Sequence, residues 1–351
     1  MWRPLSEPPA RSRLVAAKPG QRSLRHSALG VARAQGQGPD QARVIDNHMH
    51  HMYAKRIGAG ARSPWEWPAR IEETDMRLDG QVALITGAAR GQGASHAKYL
   101  AGEGARIAAL DICHDIELIY PLGTKEELDG TVAAVEAIGS EAIAIEGDVR
   151  SSKDMEEAVG RVLDRWGRID ILCNNAGVCI VGESVDDITD LSLDTVIDIC
   201  LKGVIQTTRY VAPVMKRQRS GKIINTSSCG ALKAMPYIST YTAAKGAIIQ
   251  LTQSWANELA EWGVTVNAIA PGSVLTGMVS GLAGQLGRDV QDAWEEFGSY
   301  RLFSGERGHL TVDDLSRMVV FLASDEARMI TGQVIAVDAG WSVSAGKPQQ
   351  G

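Results

Sequence analysis

Three features of this 351-residue sequence point to a doubly wound α/β domain built on a seven-stranded parallel sheet. Short β-rich apolar runs recur seven times, helical segments separate them, and no linker or internal repeat interrupts the alternation after Met76. Parallel strands need crossover connections, and the helices that supply them cover both faces of the sheet. The runs are Val82 to Thr86, Arg106 to Leu110, Ala142 to Glu146, Ile169 to Cys173, Lys222 to Thr226, Val264 to Ile269 and Gln333 to Val337. Residues 76–351 therefore read as one domain.

Residues 1–75 do not share this pattern. They lack helical or alternating periodicity, carry Pro and Gly at breaker spacing, and are expected to form a disordered extension. Their 12 Lys/Arg against 7 Asp/Glu give +5, leaving −11 on the rest. Three origins fit: an artefactual or removable stretch with translation starting at Met76, an accessory tail, or an organelle transit segment. His48, His50 and His51 have only Asp46 beside them, so they read as solvated residues and no metal site is assigned. The acidic body argues against a nucleic-acid partner. No apolar run approaches the 18 to 20 residues or so of a membrane span. The five cysteines are odd in number and lack C-x-x-C spacing. A reducing, cytoplasmic setting is expected, or an organelle if the extension is a transit segment.

The first strand runs into Thr86-Gly87-Ala88-Ala89-Arg90-Gly91-Gln92-Gly93, and helix formers follow from Ala94 to Ala101. Glycine at 87, 91 and 93 lets the chain turn tightly and approach a pyrophosphate, which then sits at the positive end of the next helix. The second strand ends at Asp111, 18 residues beyond Gly93, with Ile112 after it. A carboxylate there reaches ribose hydroxyls and repels a 2′-phosphate, so the expected cofactor is NAD. Arg90 is the one loop residue that would favour NADP.

The fifth strand ends at Thr226 and extends through Ser227-Ser228. Tyr241 and Lys245 stand four apart at the start of an apolar helix, on one face, 13 and 17 residues after Ser228. Ligands of open parallel sheets bind at the carboxyl ends of the strands, where these three groups can converge beside the cofactor.

With those residues in place, the sequence resembles the short-chain dehydrogenase/reductase family over essentially all of residues 76–351. The agreement comprises the T-G-x-x-x-G-x-G loop from Thr86 to Gly93, Asp148-Val149, Asn174-Asn175-Ala176-Gly177, Ser228, Tyr241-x-x-x-Lys245 and Pro271-Gly272. The resemblance implies a Rossmann domain. It also implies that Asp148 and Val149 flank adenine, that Asn175, Ala176 and Gly177 line the cofactor cleft, and that Val274 and Thr276, after Pro271 and Gly272, hold the carboxamide. A homotetramer built on helices near 187–217 and 240–261 is expected on the same grounds. The stretch from Ile112 to Leu128 is similar to an insertion in the mycofactocin-associated, carveol-dehydrogenase-like branch, which implies tightly held NAD and lipophilic alcohols.

The expected chemistry is interconversion of a secondary alcohol and a ketone on a lipophilic small molecule. A free phenol ionises near 10, and lowering that by roughly three units needs about 4 kcal/mol of preferential phenolate stabilisation. Lys245 and the oxidised nicotinamide are the expected sources. Tyr241 is then the acid/base, and Ser228 holds the substrate oxygen. Residues 277–310 occupy the place of the family's lid. One position departs from the pattern: Cys200 stands where most members carry a catalytic asparagine. A thiol is a weak donor and acceptor. Two alternatives stay open: a 3-ketoacyl-carrier reductase, and, because of Cys200, an NAD-binding protein whose turnover is impaired.

Overall fold

The apolar runs lie side by side as β1 (Val82–Thr86), β2 (Arg106–Asp111), β3 (Ala142–Glu146), β4 (Ile171–Asn174), β5 (Gly221–Thr226), β6 (Val264–Pro271) and β7 (Val334–Val337). The computed structural model describes residues 76–303 and 309–345. Every neighbouring pair is parallel, in the order β3-β2-β1-β4-β5-β6-β7. The expected seven-stranded parallel sheet is therefore present, with strand ends shifted by a residue or two. The expectations for residues 1–75, including the histidine cluster, lie outside the described residues.

Successive side chains on a strand point to opposite faces, and the two cores follow that alternation. Val82 and Leu84 join one core with Ala108, Leu110 and Ile145. Ala83 and Ile85 join the other with Ile107 and Ala109. The first core is covered by α3 (Ser152–Trp166), α4 (Asp190–Ile197), α5 (Gly203–Gln218) and α6 (Ser239–Leu259). The second is covered by α1 (Gly91–Gly102), α2 (Lys125–Ala137) and α9 (Val312–Ala323). Each Leu or Ile taken fully from water contributes roughly 1.5–3 kcal/mol, so strands buried on both faces hold the sheet rigid beneath its loops.

Local signals set the helix ends. Ser151 caps α3 by accepting from the Asp154 N–H, and the helix stops at Gly167 in the left-handed region. Thr124 and Glu127 form a reciprocal capping box on α2. The helical region near 187–217 comprises two helices. Between α4 and α5, residues Asp198–Lys202 form a π-turn in which the Gly203 N–H reaches back to the Asp198 carbonyl. That turn carries Cys200.

After β6 come two short helices, α7 (Gly277–Gln285) and α8 (Val290–Phe297). Trp294 Nε1 donates to the Ser273 carbonyl at 3.3 Å and Trp341 Nε1 to the Phe297 carbonyl at 3.1 Å, which ties α8 to the chain before and after it. No helix among the described residues is long and apolar enough to cross a membrane.

Candidate active site

All the expected site residues except one line a single cleft of about 290 Å³ at the carboxyl ends of the strands. The exception is Gly93, which lies under the loop. A Cβ there would stand 2.1 Å from the Gly87 carbonyl oxygen, so only glycine lets α1 begin so close to the turn. Gly87 itself has φ +67 and packs against the Ala176 backbone. Arg90 at the N-cap of α1 makes no side-chain cap, and no acid stands in the first turn. The leading N–H groups of this helix are thus left for an anionic ligand.

The glycine loop is held from the side by the β4 extension. Asn175 Nδ2 donates to the carbonyls of Thr86 (3.0 Å) and Gly87 (3.1 Å), while Thr86 Oγ1 accepts from the backbone N–H groups of Asn175 and Ala176. Beneath lies a buried ladder that sequence reading missed: Asn174 Nδ2 donates to Thr208 Oγ1 and Asn225 Oδ1, and Asn225 Nδ2 to Thr252 Oγ1, each at 2.9 Å. The two asparagines sit at equivalent positions of adjacent strands, a register visible only once the strands pair.

Asp111 is buried at the end of β2, with Oδ2 accepting from the Ala89 N–H at 2.9 Å. Its carboxylate is therefore fixed next to the glycine loop. Arg90 lines the cleft with its guanidinium already engaged: it donates to the Pro121 carbonyl, lies 3.9 Å from Glu127 and packs over Gly277. The one basic loop residue is engaged with residues 121–127 and α7. Asp148 is gripped by Arg150, with Nε–Oδ2 at 2.8 Å. Val149, Ile112, Gln92 and Gly91 line the same half of the cleft, and Gln92 Oε1 is buried with no partner.

At the inner end, Ser228, Tyr241 and Lys245 come together. The Ser228 hydroxyl faces Tyr241 in the same cleft and accepts from the Gly230 N–H at 3.1 Å. Lys245 Nζ donates to the Thr226 carbonyl at 2.8 Å and stands 5.8 Å from the Tyr241 ring centre. Ser227 Oγ donates to the Lys245 carbonyl at 2.8 Å, which ties β5 to α6. Burial pushes the Tyr241 phenol well above 10, and burial pushes the Lys245 ammonium down. The expected lowering of the phenol is thus absent from the protein by itself, because desolvation is the largest influence on Tyr241.

Cys200 is fully buried below the cleft and does not line it. Its thiol donates to the Val178 carbonyl at 3.1 Å and accepts from the Val178 N–H at 3.4 Å, so it serves both backbone groups of one residue. Cys179 and Cys229 do line the cleft, and burial raises both thiols, Cys229 to about 12. They are un-ionised near neutrality. No group of three or more His, Cys, Asp or Glu among the described residues is placed to hold a metal ion.

A family model described as enoyl-(acyl carrier protein) reductase matches residues 87–342. The chain belongs to the short-chain dehydrogenase/reductase family. Within that family it is 41% identical over 286 residues to (-)-trans-carveol dehydrogenase of Rhodococcus erythropolis, covering 75% of this chain and 98% of the relative. It is 36% identical over 269 residues to the 3-oxoacyl-acyl-carrier-protein reductase of Thermotoga maritima, covering 76% and 99%. A crystal structure of carveol dehydrogenase from Mycobacterium avium in complex with NAD superimposes with TM-score 0.72 at 37% identity, covering 76% of this chain and 99% of that one. As a short-chain dehydrogenase/reductase, the protein also carries cleft residues that its motifs do not reveal: Ile116, Tyr120, Met235, Ile238 and Trp341. Nothing in their residue types marks them as site residues, so only the fold collects them.

Proposed function

We propose that the protein is an NAD-dependent oxidoreductase that interconverts a secondary alcohol and a ketone on a lipophilic small molecule. The observation that carries this reading is the convergence of Ser228, Tyr241 and Lys245 at the inner end of a cleft whose outer end is built from the glycine loop and Asp111. The residues fit a dinucleotide: the uncapped start of α1 suits a pyrophosphate, and Asp111 suits unmodified ribose hydroxyls. Gly87, Gly91, Gln92, Asp111, Ile112, Asp148, Val149, Asn175, Ala176, Gly177, Pro271, Gly272, Val274 and Thr276 would hold it. When bound, the cofactor would supply the hydride acceptor in its oxidised form or the hydride donor in its reduced form, the oxidised form adding a positive charge beside the phenol.

The chain's own residues handle the oxygen and the proton. Ser228, held by the Gly230 N–H, positions the substrate oxygen against Tyr241. Tyr241 takes the hydroxyl proton during oxidation and returns it during reduction. Lys245, fixed by the Thr226 carbonyl, keeps its ammonium on the phenol side of the cleft and favours the phenolate. The cleft walls are apolar around this point, which favours a lipophilic substrate and excludes water.

The carrier-reductase alternative is supported by the Thermotoga maritima relative but opposed by Asp111, which repels a 2′-phosphate, and by the engagement of Arg90. Impairment at Cys200 is opposed by the two bonds its thiol makes to Val178. A homo-oligomer is the expected assembly, and Leu191, Leu193 and Ile205 leave apolar surface on α4 and α5 for it. The direct test incubates the purified protein with NAD and a panel of terpenoid and alicyclic secondary alcohols while NADH absorbance is followed. Reduction of NAD that depends on the alcohol supports the reading, and bound NAD with no turnover on any of them refutes it.

A further inference from the structure

The segment between β2 and α2 contains no regular secondary structure, yet it is fixed on both sides of Tyr120. Gln285 Nε2 on α7 donates to the Leu118 carbonyl at 3.0 Å, Arg90 donates to the Pro121 carbonyl, and the Leu122 N–H donates to Asp115 Oδ1 at 2.7 Å. Tyr120 is thereby held inside, only 7% exposed, although it sits on a loop. Its ring lies directly on Gly281 of α7, where a Cβ would stand 2.2 Å from the ring's Cγ. Any larger residue at 281 would have to displace the ring.

The same ring forms a small apolar cluster with Cys179 and Leu282, against which Tyr241, Ile238, Met278 and Phe297 pack. Tyr120 lines the cleft, and burial pushes its phenol up, so it meets a ligand as a neutral wall. None of the polar roles assigned above needs it. It is a large, immobilised side chain in the same apolar cluster as the proposed acid/base.

We propose that Tyr120 is a specificity-determining residue: seated on Gly281, its ring closes the chamber beside Tyr241 and limits the substrate to a compact, largely apolar secondary alcohol. This rests on the alcohol/ketone reading above. The steric fit with Gly281 makes the two positions one device, because the ring holds its place only while position 281 has no side chain.

The test measures kcat and KM with NAD for a monocyclic secondary alcohol and for a tetracyclic one, in the full chain and in Tyr120→Ala, Tyr120→Phe, Gly281→Ala and the Tyr120→Ala/Gly281→Ala double variant. Tyr120→Ala should shift the kcat/KM ratio roughly tenfold or more toward the tetracyclic alcohol, mainly through KM. Gly281→Ala, whose methyl collides with the ring, should shift it in the same direction, and the double variant should add nothing to Tyr120→Ala. Tyr120→Phe should keep the original ratio. Parallel loss on both alcohols, or a shift in Tyr120→Phe equal to that in Tyr120→Ala, would overturn the assignment. Should Tyr120→Ala fail to fold, judged by NAD titration of tryptophan fluorescence, Gly281→Ala decides by the same ratio. An unmodified protein that binds NAD but oxidises neither alcohol overturns the underlying reading and this one with it, whereas an active protein with an unmoved ratio overturns this one alone.

Discussion

Acid should weaken the contact between α1 and α9 through one side chain, His96. The imidazole is 1% exposed, with Nδ1 2.8 Å from Ser316 Oγ. Ser316 spends its own proton on the Val312 carbonyl at 2.9 Å, so the ring proton belongs on Nδ1. Nε2 is then a buried acceptor with no partner, and protonating it would bury a charge with nothing to receive its N–H. Burial accordingly lowers His96 from 6.5 to about 4. The folded ring stays neutral down to about pH 4, while the unfolded chain takes up a proton near pH 6.5. The native state therefore loses stability as pH falls through that window, by about 3 kcal/mol in all at roughly 1.4 kcal/mol per unit. Between about pH 7.5 and about pH 5 the loss is about 2 kcal/mol. Urea unfolding at fixed protein concentration, comparing the unmodified protein with His96→Gln, isolates the effect from other titrating groups. The unmodified protein should lose about 2 kcal/mol more than the variant over that range. Parallel curves would show that the ring is solvated or finds a partner on protonation. The consequence reaches the site, because α1 begins at Gly91 and carries the proposed pyrophosphate end.

Three further outcomes are expected. Tyr241→Phe should lower kcat by roughly 10² to 10⁴ while NAD affinity, read by fluorescence titration, stays within a few fold; lost affinity with retained rate would contradict the acid/base role. Asp111→Ala should narrow the preference for NAD over NADP in kcat/KM, and an unaltered ratio would mean that another group makes the selection. Cys200→Ala leaves the Val178 N–H and carbonyl without their partner in a dry site and should cost about 1–3 kcal/mol, whereas Cys200→Asn, which can make both bonds, should keep more of that stability. Equal melting temperatures for the two variants would show that the thiol contacts carry no weight.

The sequence by itself determined the sheet and the places where chemistry collects. Apolar runs of fixed period separated by helical segments allow few arrangements other than a parallel sheet, and strand ends are marked by residues whose spacing is local: Gly87 to Gly93, Asp111, Ser228, and Tyr241 with Lys245. What depends on contacts between distant segments could not be read that way. The bonds of Cys200 to Val178, the Asn174–Asn225–Thr252 ladder, the diversion of Arg90 to Pro121 and the seat of Tyr120 on Gly281 each join residues from separate elements. The direction of the Tyr241 shift belongs with them. Spacing shows that a lysine is near, but the balance between its charge and desolvation depends on how completely the surrounding chain excludes water, and only the packed structure decides that.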